Sequence, residues 1–395
     1  MVDGELLTAI IFYAILFLCI YKYRSKFTHA IEGDGKGKES LLSKLLFIYK
    51  TERGIGLMRI LARFEWFWKI FSTIAIPVSV YFMLKIGTLL WGNMLGIIGG
   101  TAGAGVAIAI PGIKIPGSPI FIPFWYGMIS IAVLAVVHEF GHGIVATMEG
   151  VRIKSTGFGF LAIIPLAFVE LDEEQMREMP PLSRLRILAS GAFANVSLYF
   201  LLMLFLILVF SPFVSSLVVI NGINVTSVVS GQPAAVAGIN DSTVITGVNG
   251  NQTLGIIDFI NAMSFVKPGD TVQINTTEKV FNVNTIPDPK NSSKPYIGVF
   301  LEQASKPTED AKNSYGIFLP VIQWFYGLFW WIANLNLLIG IMNFLPIWGL
   351  DGSRIAYDLT GYVVKNQKVF NMLMNLLFAF FLALLLFNIV GPIIF

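Results

Sequence analysis

Long apolar runs separated by short charged segments dominate the chain, and this pattern predicts a polytopic α-helical membrane protein. A transmembrane helix needs about 20 consecutive, mostly apolar residues. Six segments carry such a run and are the predicted spans: residues 6–21, 67–84 (with a continuation to 91), 124–148, 187–210, 316–350 and 369–395. The uncharged run over 316–350 is longer than one perpendicular crossing requires.

Two segments between these runs are not expected to be membrane helices. Residues 99–123 are rich in Gly and Pro around an alternating apolar core at 106–110, which predicts a hairpin or re-entrant segment. Residues 150–181 are mixed, since 158–169 is apolar but too short to span and 170–178 is acidic. We expect this second segment to form a strand or loop on the cytosolic side of the membrane.

At residue 211 the long apolar runs give way to short β-branched ones. Such runs are typical of strands when turn signals separate them. Turn signals occur at Asn221-Gly222, Asn249-Gly250 and Pro268-Gly269-Asp270. The region up to residue 306 is therefore expected to be a mainly β domain inserted between two spans. Five N-x-Ser/Thr sequons favour a non-cytoplasmic location for it: Asn224, Asn240, Asn251, Asn275 and Asn291.

The distribution of basic residues predicts the orientation of the chain. Ten Lys and Arg lie between residues 22 and 63, after a first span that is preceded by Asp3 and Glu5. A cleavable signal peptide would carry its positive charge before the apolar run. The observed order instead predicts an uncleaved anchor with its N-terminus outside and the basic loop in the cytosol. Counting spans from that loop puts the β domain and both termini outside.

These changes of pattern divide the chain into six predicted parts. Two of them form a membrane core that the β domain interrupts. In order they are 1–66 (first span and basic cytosolic loop), 67–123 (second span and Gly/Pro-rich segment), 124–210 (first part of the core), 211–306 (β domain), 307–368 (second part of the core) and 369–395 (last span).

Composition supports the membrane setting and excludes several classes of function. The 395 residues are 55% hydrophobic and 13% charged, whereas soluble domains carry about 25% charged residues. The formal net charge of +3 is too small to indicate a nucleic-acid partner. The single cysteine, Cys19, excludes an internal disulfide framework and a cysteine-rich zinc site.

Two of the three histidines lie in His138-Glu139-Phe140-Gly141-His142, inside the third predicted span. An H-E-x-x-H sequence on a helix places both imidazoles on one face, at the spacing that binds one Zn²⁺. Glu139 then lies beside the metal as a candidate general base on a bound water. Because ionisable residues at membrane depth are costly and mark functional sites, the motif predicts hydrolysis inside the bilayer or at its edge.

The third protein ligand that a catalytic zinc usually takes is expected to be a carboxylate. Asp351 is the favoured candidate because it follows an uncharged run that is broken by Asn343, Pro346 and Gly349. Helix breakers at membrane depth are tolerated only where protein or a cavity surrounds them. The alternatives are carboxylates that are also explained as solvated interfacial charges: Glu149, Glu170 and Asp358.

Four blocks of residues resemble the site-2 protease family, the intramembrane zinc metalloproteases of peptidase family M50, in an archaeal-like form. Residues 138–142 match its first signature, and residues 343–352 match its Asn-x-x-Pro-x-x-x-Leu-Asp-Gly signature. Residues 191–195 resemble its Gly-x-x-x-Asn element. Residues 230–239 and 244–250 resemble the helix and strand of a PDZ domain, which many members carry at this place.

The resemblance implies a role for each residue that matches a motif. His138, His142 and Asp351 would bind one zinc ion, and Glu139 would be the general acid/base. The residues themselves already indicate the same four. Many relatives have a second proline where this chain has Trp348, and this difference concerns the local backbone rather than a ligand.

Two asparagines in the matching motifs have more than one possible role. As a neutral amide, Asn195 could act in catalysis by binding the substrate backbone or the developing oxyanion. An interhelical hydrogen bond is the alternative. Asn343 is implied as a substrate-binding residue, with helix packing as its alternative.

The expected function is that of a zinc metalloprotease that cleaves the transmembrane segments of other membrane proteins. A substrate helix must unwind before attack because its carbonyls are hydrogen-bonded within the helix. Segments 99–123 and 150–169 are candidates to offer the unwound substrate an edge strand. The partners are then the lipid bilayer and membrane-protein substrates, with a PDZ-like domain that binds peptide termini or filters substrates. We expect a multi-pass protein of the cell membrane, with its active site towards the cytosol.

Two other classes of function are compatible with the pattern. An inactive relative could bind or escort membrane proteins through the PDZ-like domain, but all four residues needed for catalysis are present. A transporter could use an intramembrane His/Asp cluster to carry a metal or protons. Transporters often show internal repeats of their membrane segments, and this sequence shows no such repeat.

Overall fold

The structure is a computed structural model that describes residues 4–22, 28–29, 46–107, 109–115, 120–161, 164–289 and 291–394. The chain forms two compact units. The membrane unit comprises Met1–Leu206 and Gly327–Phe395, and the β unit comprises Ile207–Tyr326. The basic loop predicted between residues 22 and 63 lies largely outside the described residues.

Helices form most of the first part of the membrane unit. The second predicted span continues well beyond residue 84, through Pro77 and on to Ile98, because Lys85 is the only charge in its last part. Within the described part of 99–123 no helix forms, in keeping with the Gly/Pro-rich composition. The helices are α1 (Gly4–Lys22), α2 (Ile55–Ala62), α3 (Glu65–Ile98), α4 (Phe124–Met148), α5 (Glu173–Glu178) and α6 (Pro181–Phe205).

Residues suited to a helix start fix the first turns of three of these helices. Pro181 opens α6, where the missing N–H of proline carries no cost. The Asp172 carboxylate accepts a hydrogen bond from the backbone N–H of Glu174 in the first turn of α5. Glu5 of α1 accepts a 2.7 Å hydrogen bond from the backbone N–H of Phe124, where negative charge complements the helix dipole. Helix α4, which carries the His138–His142 motif, is thus held at its first residue by α1.

A four-stranded antiparallel sheet of order β1-β2-β3-β4 belongs to the membrane unit. Residues 150–181, predicted as a strand or loop, supply two of its strands and α5. Pro165 lies in the last strand, at the sheet edge, where a missing N–H is tolerated. The strands are β1 (Thr28–His29), β2 (Leu46–Thr51), β3 (Ile153–Leu161) and β4 (Ile164–Leu171).

The β unit confirms the predicted mainly β domain and extends beyond its predicted bounds of 211–306. Its main sheet has the order β12-β5-β6-β8-β9, with β7 paired to β6. Asn249 and Gly250 both have positive φ, as the type I′ turn between β6 and β7 requires. The elements are α7 (Ser211–Ser216), β5 (Val218–Val228), α8 (Pro233–Val236), β6 (Val244–Val248), β7 (Asn251–Gln252), α9 (Ile256–Ser264), β8 (Thr271–Thr276), β9 (Val280–Asn284), β10 (Ile286–Pro287), β11 (Pro295–Tyr296), β12 (Val299–Pro307) and α10 (Glu309–Tyr315).

The uncharged run over 316–350 is broken by a loop that begins after Met342 and contains the helix breakers Asn343, Pro346 and Gly349. Asp351 is the first residue of a separate helix. The Asn343 carbonyl accepts a 2.8 Å hydrogen bond from the Gly352 N–H, which closes the loop. Position 352 must be glycine because a Cβ there would overlap the Phe344 carbonyl. The last three helices are α11 (Leu319–Met342), α12 (Asp351–Val363) and α13 (Gln367–Ile394).

Five stretches of helix in the described residues are long and apolar enough to cross a membrane, against six predicted spans. The first predicted span is helical too, but its apolar part, Gly4–Cys19, is shorter than the others. The chain thus has the features of a multi-pass membrane protein. The five are Glu65–Ile98, Phe124–Met148, Pro181–Ser216, Glu309–Met342 and Gln367–Pro392.

Helices α4 and α6 pack closely where the motif lies. A Cβ at Gly141 would be 2.8 Å from the Ser190 carbonyl oxygen and 3.0 Å from Cβ of Ala194, so only glycine allows this approach. The Ser190 hydroxyl in turn donates a 3.1 Å hydrogen bond to the Gly141 carbonyl. Small residues at helix interfaces let backbones approach in this way. The contact fixes which face of α6 lies against the two histidines.

Candidate metal centre and active site

Three side chains from two helices converge on one point of the membrane unit. His138 and His142 lie one turn apart on α4, and their Nε2 atoms are 3.3 Å apart. Oδ2 of Asp351, at the start of α12, is 3.2 Å from each of these nitrogens. All three possible ligand atoms lie within 4.8 Å of one another. The structure therefore brings together the three residues that the sequence predicted as metal ligands.

The donor set fits a divalent metal ion, and zinc in particular. Asp351 Oδ2 is buried and accepts no hydrogen bond from the described residues, although it faces both imidazoles. A buried polar atom without a partner is costly, and a cation between the three atoms would remove that cost. Two imidazoles and one carboxylate are a ligand set of catalytic zinc sites that leave a fourth position open.

The backbone of α6 fixes the ring of His142. Its Nδ1–H donates a 2.7 Å hydrogen bond to the Ile187 carbonyl, so in a neutral ring Nε2 carries no proton, and this nitrogen is directed at Asp351. Partners of this kind orient metal-binding histidines and set their tautomer. Gly191, one turn further along α6, leaves room for the ring, because a Cβ there would overlap the imidazole.

Glu139 lies next to the converging atoms and is tied to the sheet. Its Oε2 accepts a 2.8 Å hydrogen bond from the backbone N–H of Val169 in β4. This bond uses an N–H on the side of β4 that faces away from β3, since β4 is an edge strand. One carboxylate oxygen is thereby held in place.

A cavity of about 800 Å³ contains the three converging residues and Glu139 in its wall. Strand β4 forms another part of the wall, from Phe168 to Leu171. Charged side chains share the rest of the wall with apolar ones such as Met176 and Leu188, and the charged ones include Lys154, Glu173, Glu174, Arg177 and Arg354. A cavity with this many ionic groups admits water, which hydrolysis requires.

The three carboxylates considered as alternatives to Asp351 are each paired with a cation instead. Glu149 lies 3.1 Å from Arg186, and Asp358 lies 2.5 Å from Arg184. Glu170 accepts hydrogen bonds from the Ser155 hydroxyl at 2.6 Å and from Lys50 at 2.9 Å, and these two groups hold the pKa of its carboxyl below its usual range. These pairs leave Asp351 as the carboxylate that faces the histidines.

The two asparagines of the matching motifs do not line the described cavity. Asn195 is fully buried on α6, with its Nδ2 3.2 Å from Nδ1 of His138. Asn343 is half-buried just after α11, where its backbone carbonyl holds the loop before Asp351. Neither the role of Asn195 in catalysis nor that of Asn343 in substrate binding is tested by this placement, so both stay predictions.

Three residues support the site in ways that the sequence analysis did not predict. Ile187 acts through its backbone carbonyl and Val169 through its backbone N–H. Neither role requires a particular residue type, so the sequence gives no sign of it. Gly191 could have been found, because it opens the Gly-x-x-x-Asn element and stands four residues before Asn195. That spacing places both residues on one face of α6, as it does for the two histidines on α4.

The chain is similar to known proteins over most of its length. It is 25% identical to an uncharacterized protein of Methanocaldococcus jannaschii over 81% of this chain and 79% of that protein. It is 21% identical to a candidate zinc metalloprotease of Clostridium perfringens over 61% of this chain and 89% of that protein. Among solved structures, it matches the PDZ domain of an SdrC-like protein from Listeria monocytogenes, with 30% identity, a TM-score of 0.19, and coverage of 20% of this chain and 87% of that domain.

The model of one protein family also matches, and it does so over residues 126–385. This match covers more than half of the chain and includes the two histidines, Glu139, the Gly-x-x-x-Asn element and Asp351. The chain belongs to peptidase family M50.

Proposed function

We propose that this chain is an intramembrane zinc metalloprotease that hydrolyses peptide bonds in the transmembrane segments of other membrane proteins. One observation carries the proposal: His138, His142 and Asp351 converge beside Glu139 in a cavity set among apolar helices of spanning length. Metal ligands and a carboxylate base in such a setting are suited to hydrolysis of a substrate that lies in the bilayer.

His138, His142 and Asp351 are the residues that would hold the zinc ion. Zinc bound there would supply Lewis acidity, which makes water nucleophilic at neutral pH and polarises a carbonyl. The neighbouring Glu139 takes the proton of the attacking water and delivers it to the leaving amine. The Val169 N–H supports this role because it holds one carboxylate oxygen at 2.8 Å and so limits rotation of the side chain.

The edge of β4 that is not paired with β3 is the place where an unwound substrate would bind. The N–H of Val169 points away from β3. Because backbone N–H groups alternate between the two sides of a strand, those of Ala167 and Leu171 point away from β3 as well. Residues Phe168–Leu171 line the cavity that contains the metal centre. A substrate strand added to this edge would place its scissile carbonyl next to Glu139.

The remaining parts of the proposal concern orientation and the β unit. The basic loop and the sequons support an active site near the cytosolic side and a β unit outside the cell. The charged cavity wall would then open a path for cytosolic water. The PDZ-like β unit would bind peptide termini or exclude bulky substrates, as the resemblance of residues 230–239 implies.

The test is cleavage of a single-pass membrane substrate by the purified protein in liposomes, together with the zinc content of the same samples. We expect wild type to bind zinc and to cleave within the apolar segment of the substrate. Glu139→Ala should retain zinc and lose cleavage, and Glu178→Ala, an exposed carboxylate of α5, should behave as wild type. Wild type that binds no zinc, or cleavage undiminished in Glu139→Ala, would contradict the proposal.

A further inference from the structure

Asn195 contacts a metal-binding histidine in an arrangement that needs an explanation. Its Nδ2 lies 3.2 Å from Nδ1 of His138, and its Oδ1 is buried without a hydrogen-bond partner among the described residues. Buried amides in proteins normally use both ends. The unused oxygen and the contact with the ring together indicate that this amide serves the metal centre.

The chemistry of His138 decides which end of the amide must face the ring. Nε2 of His138 is one of the three converging atoms, so a neutral ring that offers this nitrogen to a metal carries its proton on Nδ1. An Nδ1–H requires an acceptor, and the Asn195 amino group cannot be one. A half-turn of the amide, whose two ends are nearly equal in size, presents Oδ1 instead.

We propose that Asn195 is a positioning residue of the metal centre rather than a group that touches substrate. Its Oδ1 accepts the hydrogen bond from Nδ1–H of His138 and holds that ring with Nε2 directed at the metal. An asparagine can present either an acceptor or a donor to the ring, which neither a carboxylate nor an apolar side chain can do.

The described cavity does not extend to Asn195. The residue is fully buried and is not among those that line the cavity. On its other side, Gly340 of α11 packs against it, since a Cβ at position 340 would be 3.0 Å from Cβ of Asn195. The side chain is therefore confined between α11 and the imidazole of His138.

The proposal completes a pattern in which α6 serves both histidines. Ile187 receives Nδ1–H of His142 through its carbonyl, and Asn195 would receive Nδ1–H of His138 through its side chain. Partners of this kind typically change metal affinity by about 10- to 100-fold when they are removed. This inference rests on the metal centre of the proposed function, but it concerns metal affinity rather than proteolysis.

The test measures zinc affinity of the full-length protein in detergent by competition with a chromophoric chelator, and the visible spectrum of the Co²⁺-loaded form. We expect Asn195→Leu, which is similar in size but has no acceptor, to bind zinc about 10- to 100-fold more weakly. Asn195→Asp, which keeps an acceptor, should recover most of that loss. Asn336→Leu is the matched control, because Asn336 is equally buried but, among the described residues, its amide bonds to Ile332 of its own helix and to no histidine.

A second variant tests the proposal if Asn195→Leu does not fold. Gly340→Ala leaves Asn195 in place but presses on it, and it should alter the Co²⁺ spectrum, whereas Gly92→Ala, in an open position on α3, should not. Zinc affinity of Asn195→Leu equal to that of wild type would overturn the proposal, as would an Asn195→Asp that binds zinc no better than Asn195→Leu. Wild type that binds zinc but cleaves nothing would overturn the proposed function alone.

Discussion

Gly191 of α6 lies directly against the imidazole of His142 on α4, so closely that a Cβ at position 191 would overlap the ring. The overlap would involve Nε2, the atom that faces Asp351. The ring cannot turn away easily, because its Nδ1–H is bonded to the Ile187 carbonyl. The absence of a side chain at position 191 is therefore a condition for the metal centre.

Gly191→Ala is predicted to disrupt zinc binding. The added methyl group would displace the His142 ring, and we expect zinc affinity to fall by roughly tenfold or more, as for the loss of a group that orients a ligand. Zinc content after dialysis checks this. Gly92→Ala is the control, since a Cβ there meets nothing within 4 Å. An alanine at position 191 that leaves zinc content unchanged would show that the ring is free to move.

Asp351→Asn is predicted to lose zinc, because the amide is a much weaker ligand than the carboxylate. Glu149→Gln should keep zinc, since Glu149 is paired with Arg186 and lies outside the cavity wall. Inductively coupled plasma mass spectrometry of the two purified variants makes the comparison. Equal zinc content in Asp351→Asn and wild type would mean that another carboxylate supplies the third ligand.

A photocrosslinking residue at Ala167 is predicted to label a single-pass substrate. The backbone N–H of Ala167 is expected to point away from β3, as does the N–H of Val169, which is hydrogen-bonded to Glu139. The same crosslinker at Thr51 of β2, which pairs with β3 further inside the sheet, should label substrate far less. Labelling should be followed by mass spectrometry in the Glu139→Ala background, where substrate accumulates. If Ala167 never labels substrate, the edge strand is not the binding site.

Acid is predicted to weaken the sheet through Glu170. The Ser155 hydroxyl and Lys50 hold the pKa of this carboxyl below its usual range, so the folded state favours the charged form. The contribution to stability is thus present above the ordinary glutamate pKa of about 4.3 and is lost as pH falls through the lowered folded value.

The unfolding temperature in detergent, followed from pH 7 into the acid range, checks this prediction. Wild type should lose stability below the ordinary glutamate pKa, and Glu170→Gln should lose less over the same interval because it has no carboxyl to protonate. If the unfolding temperature falls equally at low pH in both proteins, other carboxylates cause the loss of stability.

The metal centre was largely predictable because its chemistry is rare in this sequence. Only three histidines exist, two of them at the spacing of one helical turn. Asp351 stood out because Asn343, Pro346 and Gly349 interrupt an otherwise uncharged run just before it. Residue type and spacing were enough to single out three candidate ligands, and the structure brings His138, His142 and Asp351 to within 4.8 Å of one another.

The features that were not predicted depend on pairing across long distances in sequence. Strand β2 joins β3 although about a hundred residues separate them, and Lys50 lies in an otherwise basic loop that gave no strand pattern. The separation of α12 from α11 was predicted only in part. The helix-breaking residues indicated an interruption of the apolar run, but they did not indicate that Asp351 would begin a new helix. Backbone groups such as the Val169 N–H take part through position alone.

Metal reconstitution tests the central claim most directly, that one zinc ion held by His138, His142 and Asp351 supports hydrolysis. The purified protein is freed of metal with a chelator, and cleavage of a single-pass substrate is measured as zinc is returned in known amounts. We predict no cleavage without metal and a linear rise that ends at one zinc per chain. Cleavage by the metal-free protein, or zinc binding at this stoichiometry without any cleavage, would contradict the account.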